Sequence, residues 1–243
     1  MKKILIIASV LMLAIESFAF IGFGVQGGMD LIKVDAFKKD FDILEGVTYS
    51  LERDEISNPI EFGVHGQLDL PVIPIGIELG FSMAMADYKW KAPATINGLP
   101  LEIPGYDSKD GYYSEEFTYM RASIDATLKY YLIEFPPALN TLGVYLAGGV
   151  GINFITPLVS EEVFLQEMSD ISEGATSAEI DLEELTKSST VFGGSFGAGV
   201  RIKVPVAPIS FNIDYRYVIT PENDYKDETN KFSTIKGSLN FYI

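Results

Sequence analysis

The chain has 243 residues, one histidine, no cysteine and a formal net charge of −16. The lack of cysteine excludes a disulfide scaffold and thiolate chemistry. The acidic charge argues against a nucleic-acid partner and against a polybasic role at a membrane surface.

Residues 1–19 predict a secretory signal peptide. Lys2 and Lys3 precede an apolar run, and Ser17 and Ala19 supply small residues at positions −3 and −1 of a cleavage site. A buried strand or helix at 4–15 fits the charged start and the small-residue exit less well. We therefore expect a single β-domain over residues 20–243. The rest of the chain contains no run of eighteen apolar residues, so the sequence predicts no transmembrane helix.

A period of two in hydrophobicity dominates the rest of the chain. Leu79 and Phe81, for example, alternate with Glu78, Gly80 and Ser82. Because successive side chains of a strand point to opposite faces, this pattern predicts strands with one apolar and one polar face. It recurs in eight segments, at about 20–32, 60–70, 75–85, 120–130, 144–154, 192–204, 209–217 and 235–243.

The first segment contains Gly22-Phe-Gly-Val-Gln-Gly27, which matches the dinucleotide-binding pattern G-x-G-x-x-G. That pattern binds a dinucleotide only where it follows a strand and opens a helix. A signal peptide precedes it here and no helical pattern follows. We interpret the glycines as relieving crowding or permitting strand curvature.

Short and long connections alternate between the eight segments. The short ones are 71–74, 133–141 and 205–208, and the long ones, with a combined formal charge of −15, are 33–57, 88–117, 156–189 and 220–231. In outer-membrane barrels, short turns face the periplasm, long loops face outside, and an even strand number is usual. The pattern predicts both termini in the periplasm and the long connections outside the cell.

The volume of the barrel interior indicates which face of the strands points inward. A soluble lipocalin-like barrel would place the apolar face inside, but an eight-stranded barrel is only just wide enough to be filled by side chains. The apolar face carries mostly large residues, whereas the polar face is rich in Gly and Ser. We therefore predict an all-β fold, an eight-stranded antiparallel up-and-down transmembrane β-barrel with a polar lumen.

The inward-facing ionisable residues form a predicted lumen charge network of five acids, six bases and one histidine. Because buried charges are costly unless they are paired, near balance favours a neutralising network that plugs the lumen. A gate, in which rearranged pairs open a narrow path, is the alternative. Glu78 and Lys129, on adjacent strands, are expected partners. The predicted network comprises Glu61, His65, Asp69, Glu78, Arg121, Asp125, Lys129, Arg201, Lys203, Asp214, Arg216 and Lys236.

His65 is expected to be a hydrogen-bonded lumen residue and not a catalytic or metal-binding one. Zinc requires several His or Cys ligands, which the sequence lacks. A lipid-hydrolysing site resembling that of barrel lipid-A deacylases would need a His and a Ser facing lipid near the outer rim. We expect no catalytic residue, cofactor or metal site.

The connection 156–189 contains nine acidic residues and one lysine. A solvated mobile loop is the common outcome for such a segment. Phe164, Met168 and Ile171 would share one face of a short helix over the barrel mouth. Clustered carboxylates such as Glu161 and Glu162 could bind divalent cations, although their spacing matches no EF-hand loop. Cationic ligands are the other expected partners of the acidic loops.

The chain resembles the small outer-membrane barrels of the OmpA, OmpX and OmpW type. The resemblance covers residues 20–243 and is carried by the segments 149–154, 196–201 and 214–217 and by the terminal residues Asn240-Phe-Tyr-Ile243. It implies insertion into outer-membrane lipid by the barrel-assembly machinery, with the help of periplasmic chaperones. Lys236, Phe241 and Ile243 fit the family's C-terminal assembly signal, whereas Ser238 stands where glycine is usual.

These observations together predict a non-enzymatic outer-membrane barrel with a structural or surface-interaction role and a largely plugged polar lumen. A narrow pore, or an OmpW-like conduit for small solutes, is the alternative from another functional class. An enzyme acting on lipid ranks third, because no second histidine is available to serve as a base.

Overall fold

The computed structural model describes residues 20–44, 47–70, 73–96, 99–103, 107–135, 141–156, 158, 178–179, 189–204, 207–221 and 231–243. The regular structure of these residues is strand. None of them forms a helix that is long and apolar enough to span a membrane. The predicted signal peptide and nearly all of the acidic connection 156–189 lie outside the described residues.

Eight strands form one closed antiparallel barrel. Each strand pairs with the next along the chain, and the last pairs with the first, from Gly22 opposite Tyr242 to Leu31 opposite Ser233. The predicted all-β fold and its eight strands are confirmed. The strands are β1 (Phe20–Leu31), β2 (Ile60–Leu70), β3 (Ile75–Pro93), β4 (Tyr112–Phe135), β5 (Leu142–Ile155), β6 (Ser189–Lys203), β7 (Ile209–Ile219) and β8 (Lys231–Tyr242).

Side chains alternate between the two faces of the barrel wall as the sequence predicts. On β3, Leu79 points outward and is 63% exposed, whereas its neighbour Glu78 points inward and is 4% exposed. The same contrast holds for Phe62 and Glu61 on β2 and recurs around the ring. The barrel is therefore apolar outside and polar inside, as a closed barrel in lipid must be.

Two strands are much longer than predicted. β3 has 19 residues and β4 has 24, and they pair continuously from Ile75 opposite Tyr130 to Pro93 opposite Tyr112. About nine to eleven residues suffice to cross a bilayer, so the hairpin of β3 and β4 projects beyond it. The interpretation of 88–117 wholly as a connection was wrong, because alternation continues in both flanks of this segment.

The predicted connection 33–57 also contains strands. Phe37–Leu44 and Val47–Arg53 form an antiparallel hairpin, which joins the projecting part of β3 through Arg53 opposite Trp90. Four further short strands are Lys33–Val34, paired with Ile56–Ser57, and Thr95–Ile96, paired with Leu99–Glu102. Ala178–Glu179 pairs in parallel with Leu101–Glu102.

A tight turn begins β4. Asp110 and Gly111 both have positive φ, 54° and 81°. Positive φ at both central residues is the geometry of a two-residue hairpin turn, for which Asp-Gly is a preferred sequence. Lys109 and Tyr112 exchange backbone hydrogen bonds of 2.8 and 3.0 Å across it.

Inward-facing side chains change from polar to apolar at one level of the barrel. On β4 the change falls between Arg121 and Tyr119, and on β8 between Thr234 and Phe232. Beyond this level the inward residues pack with residues of the connecting segments in a buried hydrophobic cluster, which we call the apolar cap. Its members are Ile32, Val34, Tyr49, Leu51, Ile56, Tyr88, Trp90, Ala92, Ala94, Ile103, Tyr113, Tyr119, Ile155, Leu158 and Phe232.

Candidate functional site

The lumen is the candidate site, because the predicted charged residues meet there. Its side chains form three layers between the end of the barrel with short turns and the end with long connections. We call these the inner, middle and outer layers of the lumen network, the inner layer being nearest the short turns.

The inner layer is built around Arg201 of β6. Its Nη1 donates hydrogen bonds to Asp69 Oδ2 and to the Tyr131 hydroxyl, both at 2.6 Å. Its Nη2 donates to Glu134 Oε1 at 2.5 Å. Lys203 Nζ lies 3.7 Å from Asp69 Oδ2. The guanidinium group thus ties β2, β4 and β6 together across the short-turn mouth.

The middle layer is built around Glu78 of β3. Lys129 Nζ donates to Glu78 Oε2 at 2.6 Å, so the expected pair is in direct contact. Arg216 Nη2 donates to Glu78 Oε1 at 2.9 Å and lies 3.4 Å from Asp214 Oδ1. The Glu78 carboxylate therefore pairs with two cations, one from the adjacent strand β4 and one from β7 across the lumen. These contacts compensate the desolvation of all three groups.

His65 lies beside the middle layer. Its Nε2 is 2.5 Å from Asn240 Oδ1 and 3.9 Å from Glu78 Oε2. Gly24 of β1 makes room for this contact, because a Cβ there would lie 2.6 Å from both the His65 ring and Asn240 Oδ1. The hydrogen-bonded lumen position expected of His65 is the one observed, and the nearby glycine serves the space requirement of the lumen.

The outer layer is built around Arg121 of β4. Its Nη2 donates to Asp30 Oδ2 at 2.7 Å and lies 3.6 Å from Glu61 Oε2. Thr234 donates to Glu61 at 3.0 Å. The Arg121 guanidinium also lies over the ring of Phe232, 4.8 Å from its centroid. Arg121 thus contacts both the charged lumen and the apolar cap, and cation–π attraction stabilises this junction.

The apolar cap lies beyond the outer layer. Trp90 stacks on Phe117 with ring centroids 5.8 Å apart, and Tyr88 meets the same ring edge-on. The Tyr49 hydroxyl donates to the carbonyl of Pro93 at 2.7 Å, and burial raises the pKa of Tyr49. Side chains of the hairpin formed by Phe37–Leu44 and Val47–Arg53, which we call the outer hairpin, therefore pack with those of β3 and β4 in one buried apolar cluster.

The twelve residues of the predicted network face the lumen, but they are not equally connected. Asp125 has no hydrogen bond or ion pair among the described residues, and Lys236 has only a 3.9 Å ion pair with Glu61. Sequence reasoning missed Asp30, although it follows Gln26 and Gly28 at the inward positions of β1. It also missed Tyr131, whose hydroxyl bridges Asp69 and Arg201, and Asn240, whose amide contacts His65 and Ser210.

The residues of the expected assembly signal occupy different environments. Lys236 points into the lumen and is 5% exposed. Phe241 stacks on Phe23 across the seam between β8 and β1, with ring centroids 5.6 Å apart. Ile243 is 88% exposed at the end of the chain. The first two positions are therefore also structural.

No group of three or more His, Cys, Asp or Glu side chains in the described part of the chain is arranged to hold a metal ion. The acidic clusters proposed as cation ligands, including Glu161 and Glu162, lie outside the described residues. The dinucleotide-like glycine pattern lies entirely within β1, and the helix required for nucleotide binding is therefore not present at that position.

Three solved structures of outer-membrane or surface proteins are similar to this chain at low sequence identity. Among solved structures, Neisserial surface protein A matches with 10% identity and a TM-score of 0.44, over 92% of this chain and 97% of its own. The Ail protein of Yersinia pestis, solved with the heparin analogue sucrose octasulfate, matches with 11% identity and a TM-score of 0.41, over 93% and 97%. A major outer membrane protein of Thermus thermophilus matches with 13% identity and a TM-score of 0.45, over 92% and 99%.

None of the curated protein sequences matches the chain significantly. The family model of the outer membrane protein beta-barrel domain matches residues 5–237, and this range is most of the chain. With the closed eight-stranded ring, its apolar outer face and its charged lumen, the protein belongs to the family of outer-membrane β-barrel proteins.

Proposed function

We propose that this outer-membrane protein is a non-enzymatic, non-conducting barrel that carries a rigid sheet outside the cell as its structural or interaction surface. The observation that carries the proposal is the apolar cap, which fills the barrel beyond the outer layer. A hydrated ion would have to lose its water to pass through such a cluster, at a cost of many kcal/mol.

The inner layer supports the same proposal from the other end. Arg201 reaches across the short-turn mouth to Asp69 and Glu134, and its side chain is 2% exposed. Separating these charges without new partners would cost about 3–5 kcal/mol. Both mouths are thus blocked by interactions that are costly to remove.

The proposed orientation places both termini in the periplasm and the apolar cap outside the cell. It is supported by the short turn at Ile73 and Pro74 at one end and the projecting hairpin of β3 and β4 at the other. Long extensions face outside in outer-membrane barrels. The surface presented outside the cell consists of the hairpin of Phe37–Leu44 and Val47–Arg53 together with the projecting parts of β3 and β4.

Its partners follow from the same orientation. Outer-membrane lipid covers the apolar wall, and the barrel-assembly machinery with periplasmic chaperones inserts it. The acidic connections would attract divalent cations or cationic ligands. The absence of catalysis is supported by the position of His65, which lies in the lumen against Asn240 and not at a lipid-facing rim.

Single-channel recording in planar bilayers tests the proposal. The refolded protein is expected to give no defined current steps, while a heat-dependent shift in electrophoretic migration verifies that the barrel is folded. Reproducible steps from folded protein would contradict closure and support the alternative, a narrow pore or a conduit for small solutes.

A further inference from the structure

Two charged residues on opposite walls of the lumen, Asp125 and Lys236, have no direct hydrogen bond to another described residue. Asp125 belongs to β4 and Lys236 to β8, which are four strands apart in a ring of eight. Asp125 lies between Gly80 and Gly151 of the neighbouring strands. Neither neighbour offers a side chain, so Asp125 has no partner directly opposite it on either adjacent strand.

Lys236 is in a similar position. Its cross-strand neighbours are Gly28 and Asp214, and Asp214 is directed to Arg216 at 3.4 Å. The Lys236 side chain is only 6% exposed, and among the described residues its ammonium has one ion pair, 3.9 Å from Glu61 Oε1. That distance is too long for a direct hydrogen bond.

The nearby cations are committed elsewhere. Arg121 makes short contacts with Asp30, and Arg216 makes a short contact with Glu78. A buried ammonium or carboxylate without hydrogen bonds costs several kcal/mol. The outer and middle layers therefore leave the buried Lys236 and the half-buried Asp125 without a hydrogen-bond partner among the described residues.

A small cavity lies between these two groups. Its volume is about 20 Å³, and Glu61, Ser82, Asp125 and Lys236 are among the residues that line it. About 10–15 Å³ is enough for one water molecule, which needs two to four polar partners. The cavity meets both requirements.

We propose that this cavity is a binding site for one structural water molecule that bridges Lys236 and Asp125. The water accepts a hydrogen bond from the Lys236 ammonium and donates one to the Asp125 carboxylate. Glu61 and Ser82, which also line the cavity, supply an acceptor and a donor for its other two hydrogen bonds. The water links Asp125 and Lys236 to Glu61 of the outer layer, so that both groups gain a hydrogen-bond partner.

A bound anion is disfavoured by charge balance. The lumen groups described comprise seven acids and six bases, so an anion would add to an existing excess of negative charge. The acids are Asp30, Glu61, Asp69, Glu78, Asp125, Glu134 and Asp214, and the bases are Arg121, Lys129, Arg201, Lys203, Arg216 and Lys236.

A high-resolution crystal structure of the wild-type barrel, grown in sodium bromide, tests the site and its occupant. We expect one density peak within hydrogen-bond distance of both Lys236 Nζ and an Asp125 oxygen, with no anomalous signal at the bromine absorption edge. An anomalous peak would identify an anion, and a direct contact between Lys236 and Asp125 would remove the site. Either result would overturn the proposal.

A double-mutant cycle supplies an independent readout. Lys236→Met and Asp125→Asn should be coupled by about threefold or more in the unfolding equilibrium constant, because they share one bridging water. Asp125→Asn and Lys203→Met, at the short-turn end, form the matched control pair and should show no coupling. Equal coupling in both cycles, or none in the first, would contradict a specific bridge.

Discussion

At the scale of single residues, the lumen depends on shared partners more than on isolated pairs. Sequence alternation identified the charged lumen residues. The contact between Glu78 and Lys129 was predicted because they lie on adjacent strands at similar distances from the short turns. Alternation did not show that Arg216 shares the same carboxylate, 2.9 Å away. Contacts across a lumen depend on barrel stagger and rotamers, which the alternation of one strand does not encode.

Glu78→Gln should therefore destabilise the barrel more than Lys129→Met. The first change leaves two buried cations without their shared carboxylate, at about 3–5 kcal/mol. The second leaves Glu78 still paired with Arg216 and should cost at least about 1 kcal/mol less. Urea unfolding in lipid vesicles measures both. Equal losses would show that Arg216 does not depend on Glu78.

Neighbouring residues of β3 test the two faces of the wall. Leu79→Arg places a charge in hydrocarbon and should cost about 2–4 kcal/mol. Gly80→Ser should be tolerated far better, because a Cβ at Gly80 would lie 3.7 Å from the His65 Cβ, an ordinary contact. Urea unfolding in lipid vesicles also compares these two variants, and equal tolerance would mean that the faces are reversed.

At the scale of elements, β3 shows why the sequence predicted the membrane-spanning part of a strand but not its extension into the apolar cap. Its inward positions keep one parity from Glu78 to Trp90, but they change from polar to apolar after Ser82. Outward positions change the other way, from Met85 to Asp87 and Lys89. A search for outward apolar residues therefore ended the strand near Met85 and missed the apolar cap, which follows the pattern of a soluble β-sheet.

Trp90→Ala should destabilise the projecting part of the barrel. Trp90 is 1% exposed and packs on Phe117, and truncation of a buried tryptophan costs about 3–5 kcal/mol. Lys89→Ala, on the outward face of the same strand, removes a 3.9 Å exposed ion pair with Glu116 and should cost less than about 1 kcal/mol. Denaturant midpoints for the two variants should differ clearly, whereas similar midpoints would contradict a packed cap.

At the scale of the whole molecule, the change of polarity at one level divides the barrel into a membrane-spanning part and a projecting part. Short turns, alternation and charge predicted the first part from sequence. The apolar cap of the second part brings together side chains such as Tyr49, Trp90 and Phe232, which are far apart in the chain. No local pattern shows that such distant residues meet.

Labelling of single cysteines tests the proposed orientation. Because the chain has no cysteine, each introduced one is unique. In intact cells, Asp54→Cys should react with a membrane-impermeant maleimide, whereas Ile73→Cys at the short turn should react only after the outer membrane is permeabilised. The opposite order would place the apolar cap in the periplasm.

The most direct test of this architecture is a spin-label accessibility scan along the outward face of β3, from Leu79 to Lys91, in lipid vesicles. Oxygen, which partitions into lipid, should collide most with labels at Leu79, Phe81 and Met83. A water-soluble nickel reagent should dominate from Asp87 onward. This crossover between Met85 and Asp87 would place the membrane boundary level with the start of the apolar cap. A lipid signature that continued through Lys89 and Lys91 would put the cap inside the bilayer and contradict a sealed mouth outside it.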